Sequence, residues 1–262
     1  MPFATLNDFK CHYQYDDFGQ NETIVFVNSL GTNLSMWEAQ ADVLSHHCNI
    51  LRYDMRGHGQ SEVGDKPTLD IATLGSDVLA LLDELQCTKV HFCGLSIGGL
   101  VGQWLGINAP DRFNRIIISN TAAKIGNLEG WNSRIEQVQA NGLESIVAGT
   151  GERWFTPTFR EQQPEAVNQI LANFVKTTLP GYLACCAAVR DADFRTQLHE
   201  LNVPTLVISG AKDPVTTVDD AEFLTKHIPV SSHAMLDAAH LSNVGQSEKF
   251  SKYILNFLQH HS

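Results

Sequence analysis

One junction constrains this chain more than any other. An apolar run, Lys89–Cys93, passes straight into Gly94-Leu95-Ser96-Ile97-Gly98-Gly99, and a helical pattern then continues to about Asn108. A serine between strand and helix in a G-x-S-x-G pattern sits at a sharp turn. Small neighbours are needed there, because strand and helix backbones approach without room for side chains. The pentapeptide alone is common, and its place between a strand and a helix is what makes it informative. The fold must therefore supply a sheet whose strands end at such turns.

The rest of the chain agrees. Thr23–Asn28, Ile50–Asp54, Arg115–Ser119, Pro204–Ser209 and His233–Asp237 read as strands. Met36–His47 places Trp37, Ala41 and Leu44 on one helical face. Asp70–Gln86 places Ile71, Leu74, Val78, Leu81, Leu82 and Leu85 at helical spacing, with Asp70 as N-cap. Ser247–Gln259 aligns Phe250, Tyr253, Ile254, Phe257 and Leu258. Alternating strands and helices predict a mostly parallel sheet covered on both faces. Between Ser119 and Pro204 the strand signal stops. Pro164 and Pro180 read as first-turn prolines, and Val167, Ile170, Leu171 and Phe174 form a stripe. The expected organisation is a core of residues 1–120 and 204–262 with a helical lid, 121–203, inserted into it.

Composition excludes several classes. A formal net charge of −11 over 262 residues leaves no surplus of Lys or Arg for phosphates, so no nucleic-acid partner is expected. Residues 1–18 carry neither a basic n-region nor an apolar h-region, and no apolar run approaches the roughly 20 residues that span a bilayer. No membrane partner and a cytoplasmic location are expected. Six cysteines (Cys11, Cys48, Cys87, Cys93, Cys185, Cys186) show no metal spacing and read as reduced thiols, with Cys185 and Cys186 packed in a core.

Ser96 in this setting is a candidate nucleophile, and a serine nucleophile needs a base and an acid that orients it. Asp213 follows the Pro204–Ser209 strand and His240 follows the last strand, so the chain order is Ser, Asp, His. The other histidines fit less well. His12 is expected at the edge, His46 and His47 end a helix, His91 lies within a strand, His227 and His233 precede the last strand, and His260 and His261 belong to a frayed end. Asn120 occupies an alternative acid position but cannot stabilise an imidazolium. Two backbone N–H groups are expected to form the oxyanion hole, that of Ile97 and that of Leu30 in the loop Asn28-Ser29-Leu30-Gly31-Thr32. Asp54 and His58, within Arg52–Ser61, are read as a tight structural turn held by side-chain hydrogen bonds.

On these motifs the chain resembles the α/β-hydrolase superfamily, and within it the 3-oxoadipate enol-lactonases of bacterial aromatic-acid breakdown. The discriminating segments are Phe26–Asn33 with Met36-Trp37, Gly94–Gly99, Ser119–Ala122, Trp131–Arg134, Arg153-Trp154-Phe155 and Cys185–Asp191. The resemblance implies an anionic lactone substrate, opening of its ring on Ser96, and no metal or organic cofactor. The substrate carboxylate would need a cation. Arg190 and Arg134 are the candidates, Arg153 is the next in line, and Trp154 is a candidate aromatic wall. Other readings stay open: an esterase, a perhydrolase or a C–C hydrolase on the same scaffold, or a receptor that keeps the triad. Dehalogenases and epoxide hydrolases are disfavoured, because they need Asp at the position of Ser96. Oligomeric state is not legible.

Overall fold

The computed structural model describes residues 2–66 and 68–259, so His260 and His261 lie outside the described residues. Eight strands build its sheet: β1 (Phe3–Leu6), β2 (Phe9–Asp16), β3 (Thr23–Val27), β4 (Asn49–Tyr53), β5 (Val90–Leu95), β6 (Phe113–Ser119), β7 (Thr205–Gly210) and β8 (Ser231–Leu236). Their order is β1-β2-β4-β3-β5-β6-β7-β8. The pairs from β4 to β8 are parallel, and β1–β2 and β2–β4 are antiparallel. Every residue of β3, β4, β5 and β7 is buried, as continuous apolar strands covered on both faces must be.

The β1–β2 hairpin has no counterpart in the sequence reading. Its second strand alternates apolar and polar residues without a break from Phe9 to Asp16, a period-2 strand signal that the sequence reading passed over. It corrects the reading of His12 as an edge residue. His12 is buried, and its Nδ1 lies 2.6 Å from Asp54 Oδ2.

Helices cover the sheet: α1 (Glu38–Leu44), α2 (Ile71–Glu84), α3 (Ile97–Asn108), α9 (Val218–His227), α10 (Ser242–Gly245) and α11 (Ser247–Gln259). Helix α1 is shorter than its periodicity suggests, because Leu34–Trp37 forms a separate 3-10 turn whose cap, Asn33, accepts Ser35 N–H at 3.1 Å. Asp70 caps α2 as expected, accepting Thr73 N–H at 2.7 Å. Between β6 and β7 the chain makes α4 (Leu128–Asn141), α5 (Val147–Trp154), α6 (Pro157–Gln162), α7 (Pro164–Phe174) and α8 (Leu179–Asp191). Pro164 and Pro180 stand in the first turns of α7 and α8, as read. No described helix is long and apolar enough to cross a membrane.

A buried ionic knot ties β1 and β2 to α2. The Arg56 guanidinium donates to both Asp77 oxygens, at 2.6 and 2.8 Å, and to Asp8 at 2.7 Å. Arg56 is wholly buried and Asp77 nearly so. Removing one partner leaves an uncompensated buried charge, at a cost of about 3–5 kcal/mol. Arg56→Ala is expected to lower the urea unfolding free energy by that amount. The double variant Arg56→Met/Asp77→Leu is expected to lose markedly less, because the only charge left without a partner is Asp8, which is partly exposed to water. Equal losses in urea titrations would contradict this account.

Candidate active site

The site is assembled at the carboxyl edge of the sheet. Ser96 ends β5 with φ 60° and ψ −114°, in backbone space that non-glycine residues rarely occupy. Its neighbours hold it there: Ser96 N–H donates to Ser119 O at 2.9 Å, and Thr121 Oγ1 donates to Ser96 O at 2.9 Å. Helix α3 then presses onto β3 so closely that a Cβ on Gly98 would sit 2.4 Å from Val27 O. A glycine is required at that position.

The loops after β7 and β8 carry Asp213 and His240, both buried, with His240 Nδ1 2.8 Å from Asp213 Oδ2. Asp213 Oδ2 also accepts Asn120 Nδ2 at 2.9 Å and Thr216 Oγ1 at 2.8 Å, and its Oδ1 accepts Val215 N–H at 2.8 Å. Burial by itself would raise the Asp213 pKa. The adjoining His240 charge and the bonds from His240, Asn120 and Val215 outweigh burial and hold it below the ordinary carboxylate value. Asn120 was set aside from sequence because it cannot counter an imidazolium. It acts one step further out, donating to the aspartate and to Ala239 O and receiving Ser242 Oγ–H. Its place in Ser119-Asn120-Thr121, immediately after a parallel strand, was the signal available.

Leu30 lies in the loop after β3. Among the described residues its N–H donates to no protein acceptor, while the flanking Ser29 N–H reaches Met36 Sδ and Gly31 N–H reaches His58 Nε2. Gly99 and Leu100 N–H both turn to Ser96 O. Ile97, as the first residue of α3, has no helical carbonyl to bond.

The inserted helices close over this edge. His240 N–H donates to Arg153 O at 3.3 Å, and Leu241 N–H to Trp154 O at 3.1 Å. Phe174 packs edge-on against Trp154 and Tyr182, with centroids 5.5 and 5.6 Å apart, and presses on Gly31, whose φ of 80° and lack of a Cβ permit the contact. Phe174 read in the sequence only as part of a helix stripe, and Tyr182 was not singled out there. Ser96 is 7% exposed beneath this cover.

The arginines of the helices between β6 and β7 divide. Arg190 spends its fork on its neighbour Asp191, at 2.7 and 2.8 Å, and gives Nη1 to Asn132. The bond to Asp191 and the charge of that carboxylate raise its pKa. Arg134 Nε donates to Tyr182 OH at 2.8 Å, and its guanidinium lies 5.7 Å from the Trp131 and Tyr182 ring centres. Arg153 donates to Thr150 Oγ1 at 3.1 Å. Burial first, and the nearby Arg134 charge second, lower its pKa. Ion pairs among the described arginines involve Arg52, Arg56, Arg112, Arg190 and Arg195, and not these two. A surface groove of about 700 Å³ opens elsewhere, between α1 and α7, with Met36, Phe159 and Ile170 in its walls and Ser96 outside it.

Residues 22–245 match the α/β hydrolase fold family model, and the chain belongs to that family. Within it the sequence falls with the 3-oxoadipate enol-lactonases. It is 46% identical to 3-oxoadipate enol-lactonase 2 of Acinetobacter baylyi over 94% of this chain and 92% of that one. It is 44% identical to enol-lactonase 1 of the same organism over 90% and 88%. The enol-lactonase structure from Burkholderia xenovorans superposes with a TM-score of 0.96 at 39% identity, covering 99% of this chain and all of that one.

The depressed pKa of Asp213 sets a pH dependence. A group whose folded pKa lies below its unfolded value contributes stability that is full above the unfolded value and lost as pH falls through the folded one. Wild-type stability is therefore expected to fall as pH drops below about 5, and Asp213→Asn is expected to show a shallower fall over the same range. Urea midpoints measured between neutrality and acid test this, and parallel curves for the two proteins would refute it.

Proposed function

We propose that the protein hydrolyses 3-oxoadipate enol-lactone to 3-oxoadipate, with Ser96 as nucleophile, His240 as general base and Asp213 as the orienting acid. The observation that carries this reading is chemical: two arginines without counter-ions lie in the helices above a strained serine beside a buried His–Asp pair. A site of this kind suits an ester that carries an anion. The identity to the Acinetobacter enol-lactonases supports the same substrate.

The proposed steps use each of these groups in turn. His240, held through Nδ1 by Asp213, takes the Ser96 hydroxyl proton on Nε2 while the oxygen attacks the lactone carbonyl. The tetrahedral oxyanion is met by the N–H groups of Leu30 and Ile97. The ring C–O bond breaks as protonated His240 gives its proton to the departing oxygen, and the enol so formed tautomerises to the ketone, leaving His240 neutral. Water then gives a proton to His240, attacks the acyl-Ser96 carbonyl and releases the dicarboxylate, returning the proton to Ser96. The helices of 121–203 act as a lid, with Trp154, Phe174 and Tyr182 forming an apolar wall that excludes bulk water. Arg134 and Arg153 hold the substrate carboxylate. Arg153 takes the place first given to Arg190, whose fork is already filled by Asp191.

Ser96→Ala is expected to lower kcat by at least about 10³-fold with folding intact. Arg134→Ala and Arg153→Ala are each expected to lower kcat/KM for the lactone about 10- to 150-fold, as loss of a desolvated charge-assisted pair of roughly 1.5–3 kcal/mol implies. A neutral aryl ester should lose less than about threefold in the same variants, since it never made the interaction. Arg190→Ala should leave both substrates within about threefold. Steady-state kinetics on the two substrates decide the matter. Equal losses on lactone and ester would remove the arginines from the site, and an active Ser96→Ala would end the assignment.

A further inference from the structure

The turn Arg56-Gly57-His58-Gly59 takes no part in the steps above, yet it places a fully buried imidazole between two backbone groups. His58 Nδ1 lies 2.9 Å from Arg56 O, and Nε2 lies 3.0 Å from Gly31 N. The partners decide the tautomer. A carbonyl only accepts, so Nδ1 carries the proton; an N–H only donates, so Nε2 is bare. His58 is thus neutral and uses its lone pair on the amide that follows Leu30.

That amide belongs to a loop tethered on every side of Leu30. Thr32 N–H bonds Ser29 O at 3.1 Å, and Leu34 N–H bonds Asp54 Oδ1 at 2.8 Å. With Gly31 N–H on His58 and Ser29 N–H on Met36, the Leu30 N–H is left directed at no protein acceptor among the described residues. The same turn meets the inserted helices: Thr178 N–H and Oγ1 both donate to Gly57 O, at 3.0 and 2.9 Å, and Thr177 Oγ1 reaches Gly31 O at 3.5 Å.

We propose that neutral His58 is a positioning residue for the oxyanion hole, its Nε2 holding Gly31 N–H so that Leu30 N–H faces the reacting carbonyl. The proposal rests on the reading of Leu30 as an oxyanion donor. Protonation at Nε2 would set one donor against another and release the loop. Burial opposes that protonation, and the Asp54 carboxylate favours it. The other charges around the turn are already engaged: Asp54 with His12, and Arg56 with Asp77 and Asp8.

Two substitutions separate positioning from simple packing. In His58→Asn the side-chain amide still donates to Arg56 O but stops short of Gly31. In His58→Gln an acceptor oxygen reaches Gly31. The readouts are kcat and KM on the lactone, the affinity of a boronic acid that forms a tetrahedral anion on Ser96, the affinity of planar 3-oxoadipate, and amide exchange of the 28–34 peptide. His58→Asn is expected to lower kcat and boronate affinity together by roughly 30- to 100-fold, below the 10²–10³ typical of a deleted oxyanion donor. KM and 3-oxoadipate affinity should stay within about threefold, and exchange over 28–34 should quicken. His58→Gln should recover kcat to within about fivefold of wild type, since the acceptor returns. If Asn fails to fold, Gln against His58→Phe, which keeps the ring and loses both bonds, makes the same comparison. Equal losses in the paired variants would overturn the proposal, as would a loss carried by KM or unchanged exchange. Quickened exchange with unchanged kcat and boronate affinity would instead overturn the reading of Leu30 beneath it.

Discussion

The backbone at Ser96 is the constraint around which the molecule is organised. A non-glycine residue at φ 60° costs of order 1–3 kcal/mol and persists only where its surroundings leave no alternative. Here they leave none. Strand β5 lies mid-sheet between β3 and β6, Ser119 and Thr121 grip the Ser96 peptide from both sides, and α3 rests on β3 through a residue that must be glycine. Parallel strands then deliver the loops after β3, β7 and β8 to the same edge, so Leu30, Asp213 and His240 converge without any of them being close in sequence.

The surroundings of that edge are held mainly by directional bonds to backbone. Asp54 is shared among His12, Leu34 N–H and Gln60 N–H, which links the β1–β2 hairpin, the Leu30 loop and the Arg56–Gly59 turn. Thr178 joins that turn to α8. On the other side of the insertion, Arg153 O and Trp154 O receive N–H groups from the His240 loop. The inserted helices are thus fastened to the core at two places, each beside a residue assigned to the chemistry.

Legibility from sequence followed the range of the interactions. Strand and helix periodicity marked the parallel sheet, and local turn chemistry marked Ser96, Asp213 and His240, because each sits where a strand ends and a short motif begins. The β1–β2 hairpin was legible in part, since β2 alternates apolar and polar residues from Phe9 to Asp16; what could not be read was the burial of His12 on Asp54 and the tie from Asp8 to Arg56, contacts between residues distant in sequence. Asn120 escaped for a different reason. It was weighed as an anion and discarded, whereas its amide serves as a donor to the anion. The sequence reading put Arg190 and Arg134 ahead of Arg153, and it did not weigh that Arg190 would pair with its neighbour Asp191.

The unpaired arginines are not a matter of supply. The chain carries 29 acidic residues against 18 Lys and Arg, and buried ionic groups elsewhere are partnered: Arg56 is paired with Asp77 and Asp8, and Asp54 and Asp213 are hydrogen-bonded to His12 and His240. Against that background, no ion pair among the described residues involves Arg134 or Arg153, and burial together with the Arg134 charge lowers the Arg153 pKa. A bound anion supplies the missing counter-charge, and its effect reaches beyond the contact itself. Arg153 is joined through its carbonyl to the His240 loop, and Arg134 through Tyr182 to the aromatic wall that rests on Gly31. On the proposed reading, the anion binds between helices that are bonded to the His240 loop and packed on the Leu30 loop. Recognition of the substrate's charge and alignment of the groups that attack its carbonyl then draw on the same differential interaction, and a neutral ester, though it fits the same triad, cannot supply it.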